Sequence, residues 1–141
     1  MRKVLAVILS FSMLFCFAVT ASAETNEDYG VAPCYDYAMS VASYLAIIDG
    51  NTASCESVAT GISGVTKITM VQTIEKHWAL GIFVRIDNGS WTTTKYSENA
   101  TVINKKYNMA SGTYRMVTDF TFYYGNQAET ITVYSTEKTV A

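Results

Sequence analysis

Few residues in this chain could do chemistry. Its one histidine, His77, sits in Glu75-Lys76-His77-Trp78. A nucleophile needs a positioned base and an orienting group, and no Gly-x-Ser-x-Gly elbow surrounds any of the many Ser and Thr residues. His77 reads as a solvated turn histidine. Two facing carboxylates could hydrolyse a glycoside, and Asp87, Asp119 and Glu129 are available, but no spacing selects a pair. Asp119 and Arg115 are four residues apart on one strand face, which points to surface ion pairing with a neighbouring strand. The glycines stand at turns rather than in a phosphate loop, and no calcium-loop pattern occurs. Beyond residue 23, two cysteines and one histidine are too few for zinc. The expectation is a chain with no catalytic residue, no cofactor and no metal.

Aromatic residues are the remaining lead. Trp78, Trp91, Tyr123 and Tyr124, with Tyr96, fall in or beside turns or on less apolar strand faces. Flat rings suit sugars and peptides because they supply contact area at low entropic cost. Ordinary core packing is the alternative for Trp91, and one of the adjacent pair Tyr123 and Tyr124 must face outward from a strand. Trp78, Trp91, Tyr123 and Tyr124 are the candidate ligand contacts.

The elements that must carry these residues begin after an export signal. Met1-Arg2-Lys3 is a short positive start, residues 4–20 carry no charge, and Ala21-Ser22-Ala23 offers small residues to a signal peptidase before Glu24. That order reads as a cleaved signal peptide over 1–23, followed by a polar leader over 24–33 and one domain over 34–141. The expected location is outside the cytoplasm, secreted or in the cell envelope. The formal net charge is −2 for the whole chain and becomes −4 without Arg2 and Lys3. No basic stripe exists, so a nucleic-acid partner is not expected, and no second apolar stretch is long enough to span a membrane. In an exported chain, Cys34 and Cys55 read as a disulfide. Closing that loop would stabilise the fold by roughly 3 kcal/mol.

Alternation broken by glycines dominates the rest. Residues 37–48 alternate and end in Asp49-Gly50-Asn51, a strong hairpin signal, and Cys55 lies on the return strand. Gly61-Ile62-Ser63-Gly64 predicts the next turn. From Val65 to Glu75, Thr66, Ile68, Met70, Gln72 and Ile74 share one face. Lys76 to Gly81 reads as an interruption, residues 82–86 as a short strand, Asp87-Asn88-Gly89-Ser90 as a turn, and Trp91 to Tyr96 as extended again. Residues 101–107 read as an edge strand or an irregular crossing. The clearest strand follows Ser111-Gly112, with Tyr114, Met116, Thr118, Phe120, Phe122 and Tyr124 on its apolar face. Gly125-Asn126-Gln127 turns into a last strand over 130–134. About seven strands predict an all-β, single antiparallel β-sandwich, with an immunoglobulin-like order as one option and a barrel as the alternative.

Gly112-Thr113-Tyr114-Arg115, Tyr124-Gly125 and Glu129-Thr130 form a C-terminal pattern. With Cys34, Asp49-Gly50, Cys55, Ile68, Gln72 and Trp91 upstream, it resembles a family of small secreted proteins of unknown function from Gram-positive, clostridia-like bacteria. The resemblance implies a secreted β-sandwich with a cysteine pair and brings no activity or catalytic residue. Asp119 and Phe120 depart from the polar, often histidine-containing residues expected on that strand. The function expected is that of an exported, non-catalytic binding module for a cell-wall glycan, an envelope component or an extracellular protein. A secreted antagonist, bacteriocin-like or an enzyme inhibitor, is the alternative.

Overall fold

The computed structural model describes residues 35–141. They form eight strands: β1 (Ala38–Ile48), β2 (Thr52–Gly61), β3 (Lys67–Ala79), β4 (Ile82–Lys95), β5 (Asn99–Lys106), β6 (Gly112–Tyr124), β7 (Gln127–Tyr134) and β8 (Lys138–Val140). The strands make two antiparallel sheets, β1-β2-β5 and β4-β3-β6-β7, with β8 pairing the start of β6. The expected β-sandwich is therefore the fold. Its strand order is that of an immunoglobulin-type Greek key in which the fourth strand lies on the sheet of the third, sixth and seventh.

Strand alternation sets which residues the two sheets enclose. On β3, Ile68, Met70, Gln72 and Ile74 are buried, and on β6, Tyr114, Met116, Thr118, Phe120 and Phe122 are buried. These are the faces that alternation predicts. One apolar cluster gathers Ile68, Met70, Phe120 and Phe122 with Ala59 and Val65. The other gathers Ile74, Tyr114 and Met116 with Leu45, Cys55, Met109 and Val140.

Between the clusters the core is polar. Register places Ser43 opposite Ser57 in one sheet and Gln72 opposite Thr118 in the other. The Thr118 hydroxyl bonds both Ser43 Oγ and Ser57 Oγ at 2.9 Å. Gln72 Nε2 donates to Ser57 Oγ at 2.8 Å and to the Cys55 carbonyl at 3.2 Å. Gln72 Oε1 in turn accepts from Asn104 Nδ2 at 2.7 Å. Five strands and both sheets are joined, and no buried side-chain polar atom among the described residues lacks a partner.

On the outer face of the larger sheet, hydroxyl pairs repeat the register: Thr69 with Thr94 at 3.0 Å and Thr121 with Thr130 at 2.9 Å. Such cross-strand pairs each contribute a few tenths of a kcal/mol to about 1 kcal/mol. Arg115 pairs with Glu75 on the neighbouring strand at 2.8 Å, while Asp119 accepts from Thr132 at 2.6 Å.

Two expectations are corrected here. Lys76 to Gly81 does not interrupt the strand, because β3 runs on to Ala79 and turns tightly at Leu80-Gly81. Asp87 to Ser90 is not a turn between strands either. The pairing steps from Thr73↔Ser90 to Glu75↔Arg85, so Ile86 to Gly89 bulge out of one continuous β4. Gly89 fits the bulge because a Cβ there would meet Ile86 Cγ1 at 2.5 Å. Residues 99–106 form an edge strand, and Lys138–Val140 adds a short strand that the alternation does not mark.

Replacing Thr118 by Val keeps the volume but strips the shared hydroxyl from Ser43 and Ser57. Leaving buried partners unsatisfied costs about 1–3 kcal/mol, so Thr118→Val should lower the urea midpoint at unchanged m-value. An unchanged midpoint would show that the inter-sheet hydroxyls contribute nothing.

Candidate functional site

The four candidate aromatics do not converge. Trp91 lies on the inner side of β4, opposite Gln72, and packs against the second core cluster. Tyr123 is on the outer face at the other end of the sandwich, with Lys67 Nζ 3.6 Å from its ring centre. Tyr124 stacks on Tyr37 with ring centres 5.4 Å apart and planes within 5°, and covers Gly64, where a Cβ would meet its ring at 2.5 Å. Those three rings are engaged in packing. Trp78 is 79% exposed.

Trp78 belongs to a hairpin that outruns the sandwich. The last β3–β6 pair is Lys76↔Tyr114, whereas β3 and β4 stay paired as far as Ala79↔Ile82. Beyond Lys76 the chain is therefore a two-stranded ribbon. Its pairing skips Trp78 between His77↔Phe83 and Ala79↔Ile82, a bulge that sets the indole off the ladder. Leu80 at the turn is 97% exposed, and Ile82 and Val84 are at least half exposed. A groove of about 350 Å³ runs at the ribbon's base, lined by Lys76, His77, Trp78, Val84, Arg85 and Ile86.

The turn chemistry is unusual. Asp49-Gly50 and Leu80-Gly81 adopt the same left-handed pair, with φ of 50° and 76° in the first and 53° and 77° in the second. Such turns favour Asn, Asp or Gly in the first place. A leucine in this conformation costs roughly 1–2 kcal/mol, and Leu80 recovers none of it by burial.

Arg115 holds the ribbon's base. Its guanidinium bonds Glu75 Oε2 through Nε and Nη2, both at 2.8 Å. It also lies 4.0 Å from the ring centre of Phe83 and 4.6 Å from that of Tyr134. His77 meets Phe83 edge-on, and its Nε2 accepts from the Gly81 backbone N–H at 3.3 Å. His77 is thus part of the turn's scaffold. Among the described residues no group of three metal-ligating side chains occurs.

Cys34 lies outside the described residues, as do the expected signal peptide and leader. Cys55 has no disulfide partner among the described residues. Its thiol is fully buried, and burial pushes it from an ordinary 9.0 up to about 12. The expected Cys34–Cys55 bridge therefore falls outside the described residues with Cys34.

No protein-family model matches the chain, and no curated protein matches it in sequence.

The sequence pointed to Trp78 but missed Leu80, Ile82 and Val84 as its companions. The signal that could have found them is the apolar alternation 78, 80, 82, 84 continuing straight through Gly81.

Two outcomes are expected. Cys55 should resist alkylation in the native protein and react after denaturation without reductant, whereas a bridged Cys55 would require reductant first. Stability from this thiol is full below pH 9 and declines between pH 9 and 12, as the unfolded chain ionises it and the folded chain does not. Separately, Arg115→Ala should speed amide exchange in residues 77–84 far more than in β2 or β6. Uniform acceleration would place Arg115 in global stability rather than at the ribbon's base.

Proposed function

We propose that this chain is an exported, non-catalytic binding module whose projecting β3–β4 hairpin engages a component of the cell envelope or an extracellular protein. The supporting observation is the hairpin itself. It leaves Trp78, Leu80, Ile82 and Val84 uncovered, in a fold that satisfies every buried side-chain polar atom among its described residues. Exposed apolar residues scattered singly need no explanation, but a contiguous set marks an interaction site. Export rests on the charged start, apolar run and Ala-x-Ala site of residues 1–23. Membership of the secreted family that the C-terminal pattern resembles belongs to the same proposal.

The test is retention of purified chain on a whole-envelope fraction, with wall polymers and membranes kept together. Trp78→Ala should lose retention, while Tyr124→Ala, at the opposite end of the sandwich, should keep it. Equal retention by both variants, or none by the unaltered protein, would overturn the hairpin as the docking element.

A further inference from the structure

Resting on that reading, we infer that the β3–β4 hairpin docks on the surface of an anionic lipid bilayer, with Leu80 at the apex inserted and Lys76 and Arg85 at the headgroups.

The order of side chains along the ribbon carries the argument. Leu80 is the most exposed large apolar residue among those described, at the tip of the turn. Trp78 and Ile82 come next, and Val84 follows. Lys76 and Arg85 line the groove behind them, four and five residues from Leu80, about 13–17 Å along the strands. An aliphatic apex, an indole behind it and cations further back repeat the layers of a bilayer surface: hydrocarbon, interface, then phosphate. Interfacial segments bury their apolar face about 5–10 Å deep, which this spacing permits.

Lys76 Nζ sits 5.5 Å from the Tyr114 ring centre, a contact that leaves its charge unneutralised. Arg115 occupies the Glu75 carboxylate. Among the described residues, Lys76 and Arg85 make no ion pair, and Asp87 in the neighbouring bulge makes none with either. Leu80 supplies an independent reason. At the same positive φ, the β1–β2 hairpin uses Asp49, so the backbone does not call for leucine at position 80, and the Leu80 side chain is almost wholly exposed. An apolar medium outside the protein accounts for both facts.

A second copy of the chain fits less well. A two-stranded tip that narrows to one turn offers little against the roughly 800 Å² per partner of a stable protein interface.

The test uses the chain from Glu24 onward, which keeps both sheets and both core clusters, and vesicles of phosphatidylcholine with or without phosphatidylglycerol. Sedimentation with the mixed vesicles, a blue shift of tryptophan emission and loss of both in high salt are expected. Leu80→Asn is the decisive variant, because asparagine tolerates the left-handed turn. It should unfold at the same or higher temperature yet bind the mixed vesicles about tenfold or more weakly. Combined Lys76→Gln and Arg85→Gln should remove the preference for phosphatidylglycerol. No binding to mixed vesicles, or binding that Leu80→Asn leaves intact, would overturn the lipid inference. If Trp78-dependent envelope retention persisted without vesicle binding, the lipid inference would fail and the module reading would stand on a wall polymer or protein. If both were absent, both would fall.

Discussion

The fold depends on a hydrogen-bonded chain through the middle of its own core. Ser43, Thr118, Ser57, Gln72 and Asn104 come from five strands and reach across both sheets. Each bond contributes a net of about 1 kcal/mol at most times, but an orphaned buried partner costs more than its bond was worth. The set therefore discriminates between arrangements more strongly than it stabilises one. A slip of one residue in β6 would turn Thr118 outward and bring Val117 or Asp119 into the space. The hydroxyls of Ser43 and Ser57 would then face an aliphatic or a charged neighbour. Apolar surfaces alone would tolerate that slip better, because hydrophobic contact has no direction. In immunoglobulin domains a disulfide joins the second and sixth strands across the core. Here Ser57 and Thr118 make the link between the same two strands without a covalent bond.

This arrangement explains which parts of the structure were legible in the sequence. Alternation identified the inner faces of β3 and β6, because side-chain direction in a strand has a strict period of two. It also placed Gln72 and Thr118 on those faces, yet gave no reason for two polar residues to be there. The reason is their partners, which lie 15 to 75 residues away and are brought opposite by pairing alone. The hairpin tip is hard to read from sequence for a local reason. Leu80-Gly81 is not a usual turn pair, so a continuous strand looked interrupted, while Asp87-Asn88-Gly89 resembled a turn and is a bulge.

The bulge and the hairpin serve one geometry. Excess residues in β4 tuck Ile86 beneath the sheet, where it packs with Trp91 on the second cluster, and irregularity at an edge strand also discourages pairing with other chains. A two-stranded ribbon is marginal on its own. Arg115 compensates by gripping Glu75, Phe83 and Tyr134 at once, so the tip stands on a base tied to β6 and β7. Function by such a tip requires that rigidity, since ordering a loose loop on contact would consume part of the binding free energy.

The contrast between the two left-handed turns then becomes an argument about cost. Asp49-Gly50 and Leu80-Gly81 share nearly the same positive φ values in loops of three and two residues, and only one of them uses a residue suited to that conformation. Leu80 adds strain to the least supported part of the molecule, and its exposed side chain gains nothing from burial to offset it. Contacts beyond the fold, as proposed above, would give that strained leucine a role. Trp78, displaced from the ladder by its own bulge, carries the same implication from a second position. Stability in this protein is concentrated in the polar-centred sandwich, which leaves the hairpin free to present what the core would otherwise have taken in.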